Sequence, residues 1–355
     1  MNDFAKRLTE WYETNKRKLP WRETNDPYAI WLSEIILQQT RVNQGLPYYQ
    51  RFIKTWPTVD KLAAASKDEV FKLWQGLGYY RRAENMMKTA QIVVNDHKGI
   101  FPGCYHQLLK LPGVGEYTAA AIASIAFGEK VPVTDGNVYR VLSRIFGIKT
   151  AVPSSKAKKT FGEKMLLLTG NAHPGTFNQA VMEFGALQCT PSNPSCSKCV
   201  FSNRCHALIH NEIHELPVIK QKNKKRKLFI CYFVVQWNGH LILHHRTKNE
   251  IWKGLYDFPS QTFDKEKNMS AVLKAARDLP FLPPQSTFTI KPFDKTYRHQ
   301  LTHMDITARF IEITVNNKPV LNNKSLKLIH KTELAGYPVS RLTERFLNDK
   351  SMFSL

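Results

Sequence analysis

Acid is short in this chain relative to base. Twenty-nine aspartates and glutamates stand against 51 lysines and arginines in 355 residues, a formal charge of +22. A surplus of that size asks for a polyanionic partner; nucleic acid and an anionic membrane both qualify. Long apolar runs are missing as well. The longest, LFICYFVV from Leu228 to Val235, is far too short for a spanning helix. The N-terminal MNDFAKRLTEWYETNKRK has no apolar signal core, and its Phe4, Leu8, Trp11 and Tyr12 fall at helical spacing. No membrane is expected as partner, and a cytoplasmic protein is. Cysteine is sparse, six in all, and in that compartment six cysteines point to metal rather than to disulfides. Internal repeats and low-complexity tails are absent.

What is present falls into two textures. Up to Cys205, helical patterns follow one another with short Pro/Gly turns between them. DPYAIWLSEIIL begins with Asp26 as an N-cap and Pro27 in the first turn. After the charged stretch QKNKKRK (Gln221 to Lys227), β-type runs take over, including KLFICYFVVQWNGHLILHHR with a hairpin turn at Asn238-Gly239. NMSAVLKAARDL reads as a helix among them. The expected fold is a mainly α part followed by an α+β domain, divided as 1–206, a basic linker 207–227, and 228–355.

Four features carry chemistry. LPGVG, Leu111 to Gly115, puts two glycines in a turn just before the Ala-rich helix EYTAAAIASIAFG. Gly113 and Gly115 allow unusual backbone and close approach, and the free N–H groups of the following helix attract anions, so the turn reads as a phosphate clamp or as a plain helix corner. Cys189, Cys196, Cys199 and Cys205 are separated by six, two and five residues, a spacing that fits an iron–sulfur cluster or an all-cysteine zinc site. Glu34 is crowded by Ile30, Trp31, Ile35, Ile36 and Leu37; desolvation there would raise its pKa and suit a general acid, while a solvent-facing glutamate is the plain alternative. Asp135 precedes the helix GNVYRVLSRIFG as an N-cap, where the helix end favours an anion; the two carboxyls are expected to be tuned in opposite directions. Cys104 and Cys231 read as packing residues; His206, His210 and His214 recur every four residues and read as one face of a solvated helix end, with metal binding as the alternative.

These motifs resemble a known family. LPGVGEYTA resembles the helix-hairpin-helix of the endonuclease III superfamily of DNA glycosylases, and VPVTDGNVYRVLSR resembles its catalytic aspartate segment. LPWR (Leu19 to Arg22) and SEIILQQTRV (Ser33 to Val42) are similar to the adenine-specific, MutY-type branch. The resemblance implies two helical subdomains closed by a loop holding one 4Fe–4S cluster on the four cysteines. It implies Glu34 as the acid that protonates adenine and helps activate water, Asp135 as stabiliser of the sugar cation, and Asn137 as an organiser of the site. Where bifunctional relatives carry a lysine that attacks the sugar, this chain has Tyr117, and a phenol forms no Schiff base; base removal without an efficient lyase step is implied, with Tyr117 a catalytic-site residue beside Asp135 that helps at the sugar. Leu111, Gly113, Val114 and Gly115 match the hairpin, Tyr79 a residue wedged into the DNA, and Gln38, Gln39 and Thr40 the loop that fills the gap left by the flipped base. Trp21, Arg22 and Gln179 match positions around the extruded adenine.

IWKGLYDFPS (Ile251 to Ser260) resembles the C-terminal domain of the same branch, which is related to the Nudix hydrolases. The Glu-rich metal-binding helix of those hydrolases is missing from MSAVLKAARDLPF, so a recognition module for 8-oxoguanine is implied. Leu301, Thr302 and His303 align with the family's Phe-Ser-His loop, with leucine in place of the aromatic. The implied partner is double-stranded DNA with adenine opposite 8-oxoguanine or guanine, and the implied enzyme a bacterial, cytoplasmic, nucleoid-associated monomer. Three rivals remain: a bifunctional oxidised-pyrimidine glycosylase/lyase, opposed by Tyr117; a non-catalytic iron–sulfur DNA-binding or redox-sensing protein, opposed by the two carboxylates; and a nucleotide-pool hydrolase, opposed by the missing acidic helix.

Overall fold

The structure is a computed structural model and describes residues 2–220, 225–247, 250–282, 288–293, 295–301 and 304–349. The chain divides into two compact units, 1–64 with 85–222, and 65–84 with 223–355. The helices are α1 Asn2–Asn15, α2 Pro27–Leu37, α3 Val42–Thr55, α4 Val59–Ala63, α5 Lys67–Trp74, α6 Arg81–His97, α7 Tyr105–Leu108, α8 Glu116–Phe127, α9 Gly136–Phe146, α10 Ser155–Thr169, α11 Pro174–Leu187 and α12 His206–Ile209. The sequence reading keeps 65–84 with the helical part. In the structure α5 belongs to the second unit, because Phe71 lies against Gly254 and the Lys72 ammonium donates to the Ala335 carbonyl.

In the first unit α2 starts as its sequence dictates. Asp26 Oδ1 accepts from the Tyr28 N–H at 3.0 Å and Pro27 occupies the first turn, where its missing N–H costs nothing. Both α2 and α8 are apolar nearly all round and are buried accordingly, with α8 packed between α2 and α11. The small side chains of Ala119, Ala120, Ala121 and Ala123 permit that close approach. By contrast α9 is one-sided: Val138, Val141, Leu142 and Ile145 enter a core shared with Phe4, Leu8, Trp11 and Tyr12 of α1 and Phe177 and Phe184 of α11.

Among the described residues the second unit is built on an eight-stranded sheet: β1 Arg226–Trp237, β2 His240–His245, β3 Tyr256–Asp257, β4 Ser260–Phe263, β5 Phe288–Pro292, β6 Tyr297–Gln300, β7 Met304–Val315 and β8 Leu326–His330. Strands β3-β2-β1-β7-β5 lie side by side; β4 pairs with β1, β6 with β7 and β8 with β2. The β1/β2 turn is the Asn238-Gly239 pair, both left-handed at φ 43° and 75°, as a two-residue hairpin requires. The central pair, β1 and β7, is parallel, and residues 230–235 of β1 are buried on both faces. That explains the apolar run: Cys231, Phe233 and Val235 meet α13 (Met269–Arg277), while Ile230, Tyr232 and Val234 share a core with Phe346 of α14 (Arg341–Asp349).

Candidate active site

A cavity of about 760 Å³ opens in the first unit, lined from α2, α8, the start of α9 and α11. Glu34, Tyr117, Asp135, Asn137, Trp21, Arg22, Gln179, Gln38, Gln39 and Thr40 all line it. Residues separated by up to 158 positions in the sequence are thus brought together around one space.

Glu34 sits on the cavity side of an otherwise sealed helix. Burial pushes its carboxyl up to about 7; the Tyr117 hydroxyl donates to it and draws it down, Asp135 pushes it up, and Arg22 draws it down. Burial moves Asp135 upward too. Against that, its Oδ1 accepts the Val138 N–H at 2.7 Å and its Oδ2 the Asn137 amide at 2.8 Å, with the Asn137 N–H and the Arg140 charge adding to the pull. The expectation of opposite tuning is therefore corrected. Both carboxyls shift upward because both are desolvated, and the start of α9 moderates Asp135 without reversing it. Asn137 is itself held: its Oδ1 accepts Arg140 Nη2 at 2.8 Å, and Arg140 donates onward to the Gly185 carbonyl at 2.7 Å and the Cys189 carbonyl at 2.7 Å. At Gly185 even a Cβ would lie 2.6 Å from that of Asn137, so α11 reaches the start of α9 only through a glycine. Tyr117 is held by Met182, its hydroxyl 3.3 Å from the sulfur, and burial keeps it a phenol.

Around the cavity rim, Trp21 is buried edge-on against Tyr49, ring centroids 4.9 Å apart. The Tyr12 hydroxyl donates to Gln179 Oε1 at 3.2 Å. Arg22 is pinned by Glu183, a residue the sequence reading passed over; its signal was a single acid in the apolar stretch AVMEFGA. Gln38 Nε2 donates to Thr118 at 3.2 Å, whereas Gln39 is exposed with a left-handed φ of 56°.

The LPGVG turn joins α7 to α8. Leu111 and Val114 are buried, so only backbone is on offer there. Gly113 is required twice over: its φ is 76°, and a Cβ would stand 2.8 Å from that of Asn85. Gly115 is not, and the expectation of special conformation there is corrected. Its φ of −87° and ψ of 177° are open to any residue, and a Cβ would meet nothing within 4 Å. As the residue before α8 it offers no capping side chain, unlike Asp26 before α2 and Asp135 before α9, so the first N–H groups of α8 stay open to a ligand. Glu116 beside them is neutralised by Lys158.

All four clustered cysteines, Cys189, Cys196, Cys199 and Cys205, line one small cavity of about 20 Å³ beside Arg144. Arg144 is buried and donates to the carbonyls of Thr190 (2.7 Å), Pro191 (2.8 Å) and Leu216 (3.0 Å), with Nη1 3.5 Å from Cys189 Sγ. Among the described residues no three ligating side chains are gathered for a single metal ion. The histidine row holds only in part: the His206 and His210 rings pack together, centroids 4.3 Å apart, and His206 also meets Glu212 at 3.1 Å, but α12 stops at Ile209 with His210 as its cap, so His214 lies beyond the helix. Cys231 is buried in the sheet and Cys104 is half-buried.

In the second unit, Tyr79 is exposed at a left-handed φ of 49°, with the Arg82 guanidinium 5.8 Å from its ring centre, while Tyr80 is buried against Phe71. Leu301 follows β6, its N–H donating to the Met304 carbonyl at 2.8 Å. Thr302 and His303 lie outside the described residues. No helix among the described residues is long and apolar enough to cross a membrane.

Comparison with known proteins agrees with this architecture. Residues 32–165 match the HhH-GPD superfamily base excision DNA repair proteins, and residues 231–349 match the NUDIX domain. Adenine DNA glycosylase of Buchnera aphidicola subsp. Baizongia pistaciae is 34% identical over 91% of this chain and 89% of its own length. The human adenine DNA glycosylase is 44% identical over 58% of this chain and 39% of its own length. Among solved structures, a thermostable thymine-DNA glycosylase aligns with 58% of this chain and 95% of its own at 31% identity and a TM-score of 0.53. An endonuclease III–DNA covalent intermediate covers the same 58% at 19% identity and a TM-score of 0.51, a likeness of fold.

Proposed function

The chain belongs to the MutY-type adenine DNA glycosylases, helix-hairpin-helix enzymes of base excision repair with a Nudix-like C-terminal domain, and from that premise we propose how its own residues act on DNA. The observation that carries the reading is the pairing of Glu34 and Asp135, two half-buried, desolvated carboxyls on one cavity with Tyr117 beside them. An adenine extruded from the duplex enters between Trp21, Arg22 and Gln179. Glu34, holding a proton near neutrality, delivers it to the base at N7. Asp135 stabilises the positive charge that grows on the sugar as the glycosidic bond lengthens, and Asn137 holds Asp135 in place. The ionised Glu34 then helps activate the water that completes hydrolysis, a two-carboxylate scheme akin to that of glycosidases. Tyr117 offers no amine, so the product is an abasic site without strand cleavage.

The remaining assignments follow the same premise. DNA is the substrate; adenine opposite 8-oxoguanine, and opposite guanine, are the mispairs. The turn Leu111, Gly113, Val114 and Gly115 holds a backbone phosphate, Tyr79 wedges into the stack, and Gln38, Gln39 and Thr40 fill the space left by the base. Leu301, Thr302 and His303 read the opposite 8-oxoguanine. Cys189, Cys196, Cys199 and Cys205 hold one 4Fe–4S cluster, which, when bound, fixes the fold of its loop. The four sulfurs around one cavity, in the spacing that resembles the family's cluster loop, support this assignment. The working division is 1–206 for excision, 207–227 as linker and 228–355 for lesion recognition, in a monomer acting at the bacterial nucleoid.

The test is single-turnover cleavage of a labelled duplex with one adenine opposite 8-oxoguanine, with and without alkali, and an adenine–thymine duplex as control. A break that needs alkali, is absent from the control and falls by about 10²- to 10⁴-fold in Glu34→Gln is the expected outcome. Failure of cluster-loaded wild-type protein to release adenine would move the weight to a DNA-binding role. Breakage without alkali would remove the inference from Tyr117.

A further inference from the structure

Glu183 is an acid for which the excision scheme has no use. Its side chain is 1% exposed and five N–H groups converge on it. Oε1 accepts Arg22 Nη1 at 2.7 Å, Arg17 Nε at 2.8 Å and the Arg17 backbone N–H at 3.0 Å; Oε2 accepts Arg22 Nη2 at 2.8 Å and Arg17 Nη2 at 2.5 Å. Burial alone would raise this carboxyl, but the bonds from Arg22 and Arg17 bring it down to about 2, so it is an anion throughout the working range. Buried ion triads stabilise folds weakly, because desolvation offsets the attraction. A role elsewhere is called for.

That role lies with Arg22. Its guanidinium lines the same cavity as Glu34, and the two charges act on each other. A guanidinium free to swing would pair with Glu34, fix it as a carboxylate and end its use as an acid. With Nη1 and Nη2 both bound to Glu183, and Nη1 also donating to the Arg17 carbonyl at 3.2 Å, Arg22 stays in the wall. We propose that Glu183 is a positioning residue of the excision pocket: it holds Arg22 away from Glu34 and offsets its charge, so that Glu34 keeps the proton it delivers to the base. This rests on the assignment of Glu34 as the acid. The other ionisable groups that face Glu34 or the triad are Tyr117 on α8, Asp135 at the start of α9, Arg41 after α2 and Tyr12 on α1, and none is altered by the test below.

Single-turnover adenine excision is measured from about pH 5 to about 9 in the wild-type, cluster-loaded protein and two variants. Because protonated Glu34 is the active form, the wild-type rate falls as pH rises through about 7. In Glu183→Gln the uncancelled Arg22 favours the carboxylate, so this fall begins about one unit lower and the loss at pH 8 is about tenfold deeper than at pH 5. Arg17→Gln leaves Glu183 paired with Arg22 and changes a residue one-third exposed, so it folds if Glu183→Gln does not. It removes a positive charge and moves the fall to higher pH. Opposite shifts in the two variants support the proposal. A uniform loss of rate at every pH in both, or no upward shift in Arg17→Gln, overturns it. A wild-type enzyme that releases adenine with no such fall removes the role given to Glu34, a different failure that is visible without either variant.

Discussion

Each unit of this molecule buries carboxylates, and the two treat them differently. In the second unit Asp257 is fully buried; it accepts Arg246 Nε at 2.6 Å and the Thr343 hydroxyl, while Arg246 also reaches Tyr232 and Ser260 and lies over the Trp252 ring. Glu250, partly exposed, adds a second carboxylate 3.4 Å from Arg246 Nη1, and Asp257 itself is sealed in. In the first unit Glu34 and Asp135 face a cavity, and Glu34 is left with a proton affinity near neutrality. Desolvation acts on both. What separates a structural acid from a reactive one is whether the surrounding groups answer the charge completely, and Glu183, on the same cavity as Glu34, shows the complete form beside the incomplete one.

The comparison breaks hardest at Asp257. Asp257→Asn leaves the buried Arg246 only the partly exposed Glu250, 3.4 Å away, as counter-charge, and a loss of about 2–4 kcal/mol in urea unfolding of the second unit is expected. Single-turnover excision by the folded fraction should fall far less than in Glu34→Gln. An equal loss of excision would mean that the sealed network also serves the reaction.

The reverse is expected at Glu34. Its carboxyl rises from 4.5 to about 7 on folding, so the native state is favoured while the group is protonated, and that advantage is lost as pH climbs through about 7. Removing the ionisable group should therefore stabilise the protein where it hurts catalysis most. Glu34→Gln is expected to be more stable than wild type by about 1–3 kcal/mol at pH 8, with the difference shrinking toward zero near pH 4. Unfolding curves at the two pH values decide it; a variant no more stable at pH 8 would mean that Glu34 is better solvated than its neighbours imply.

How far the sequence revealed this site depends on the type of signal. Helix starts were legible because a cap is local: Asp26 and Asp135 each bond an N–H two or three residues on. The four cysteines were legible through spacing, and the β1 run through its unbroken apolar character, which a strand buried on both faces needs. Glu183 was not, because its meaning comes from Arg17 and Arg22, more than 160 positions away. The direction of the Asp135 shift was misjudged for a related reason. The helix end can be read from sequence, but the burial that outweighs it is a tertiary property. The histidine row failed at His214 because a four-residue spacing is informative only if the helix continues, and α12 ends at Ile209.

The smallest effects separate the two glycines of the α7–α8 turn, one serving the fold and the other open to a ligand. At Gly113 an alanine would need a left-handed φ of 76° and would press on Asn85, so Gly113→Ala is expected to lower stability by about 1–3 kcal/mol. At Gly115 the chain itself has no objection to a methyl group. Gly115→Ala should leave stability within about 0.5 kcal/mol. Its added carbon nevertheless stands at the open end of α8, where a phosphate would approach the N–H groups. DNA affinity should then weaken by on the order of 1 kcal/mol, about fivefold to tenfold in Kd, equally for mispaired and matched duplexes because a phosphate contact carries no sequence information. Measured in thermal melts and in filter binding at fixed salt, a stable Gly115→Ala with unchanged Kd would mean that α8 ends short of the DNA, and the turn would then be a helix corner and nothing more.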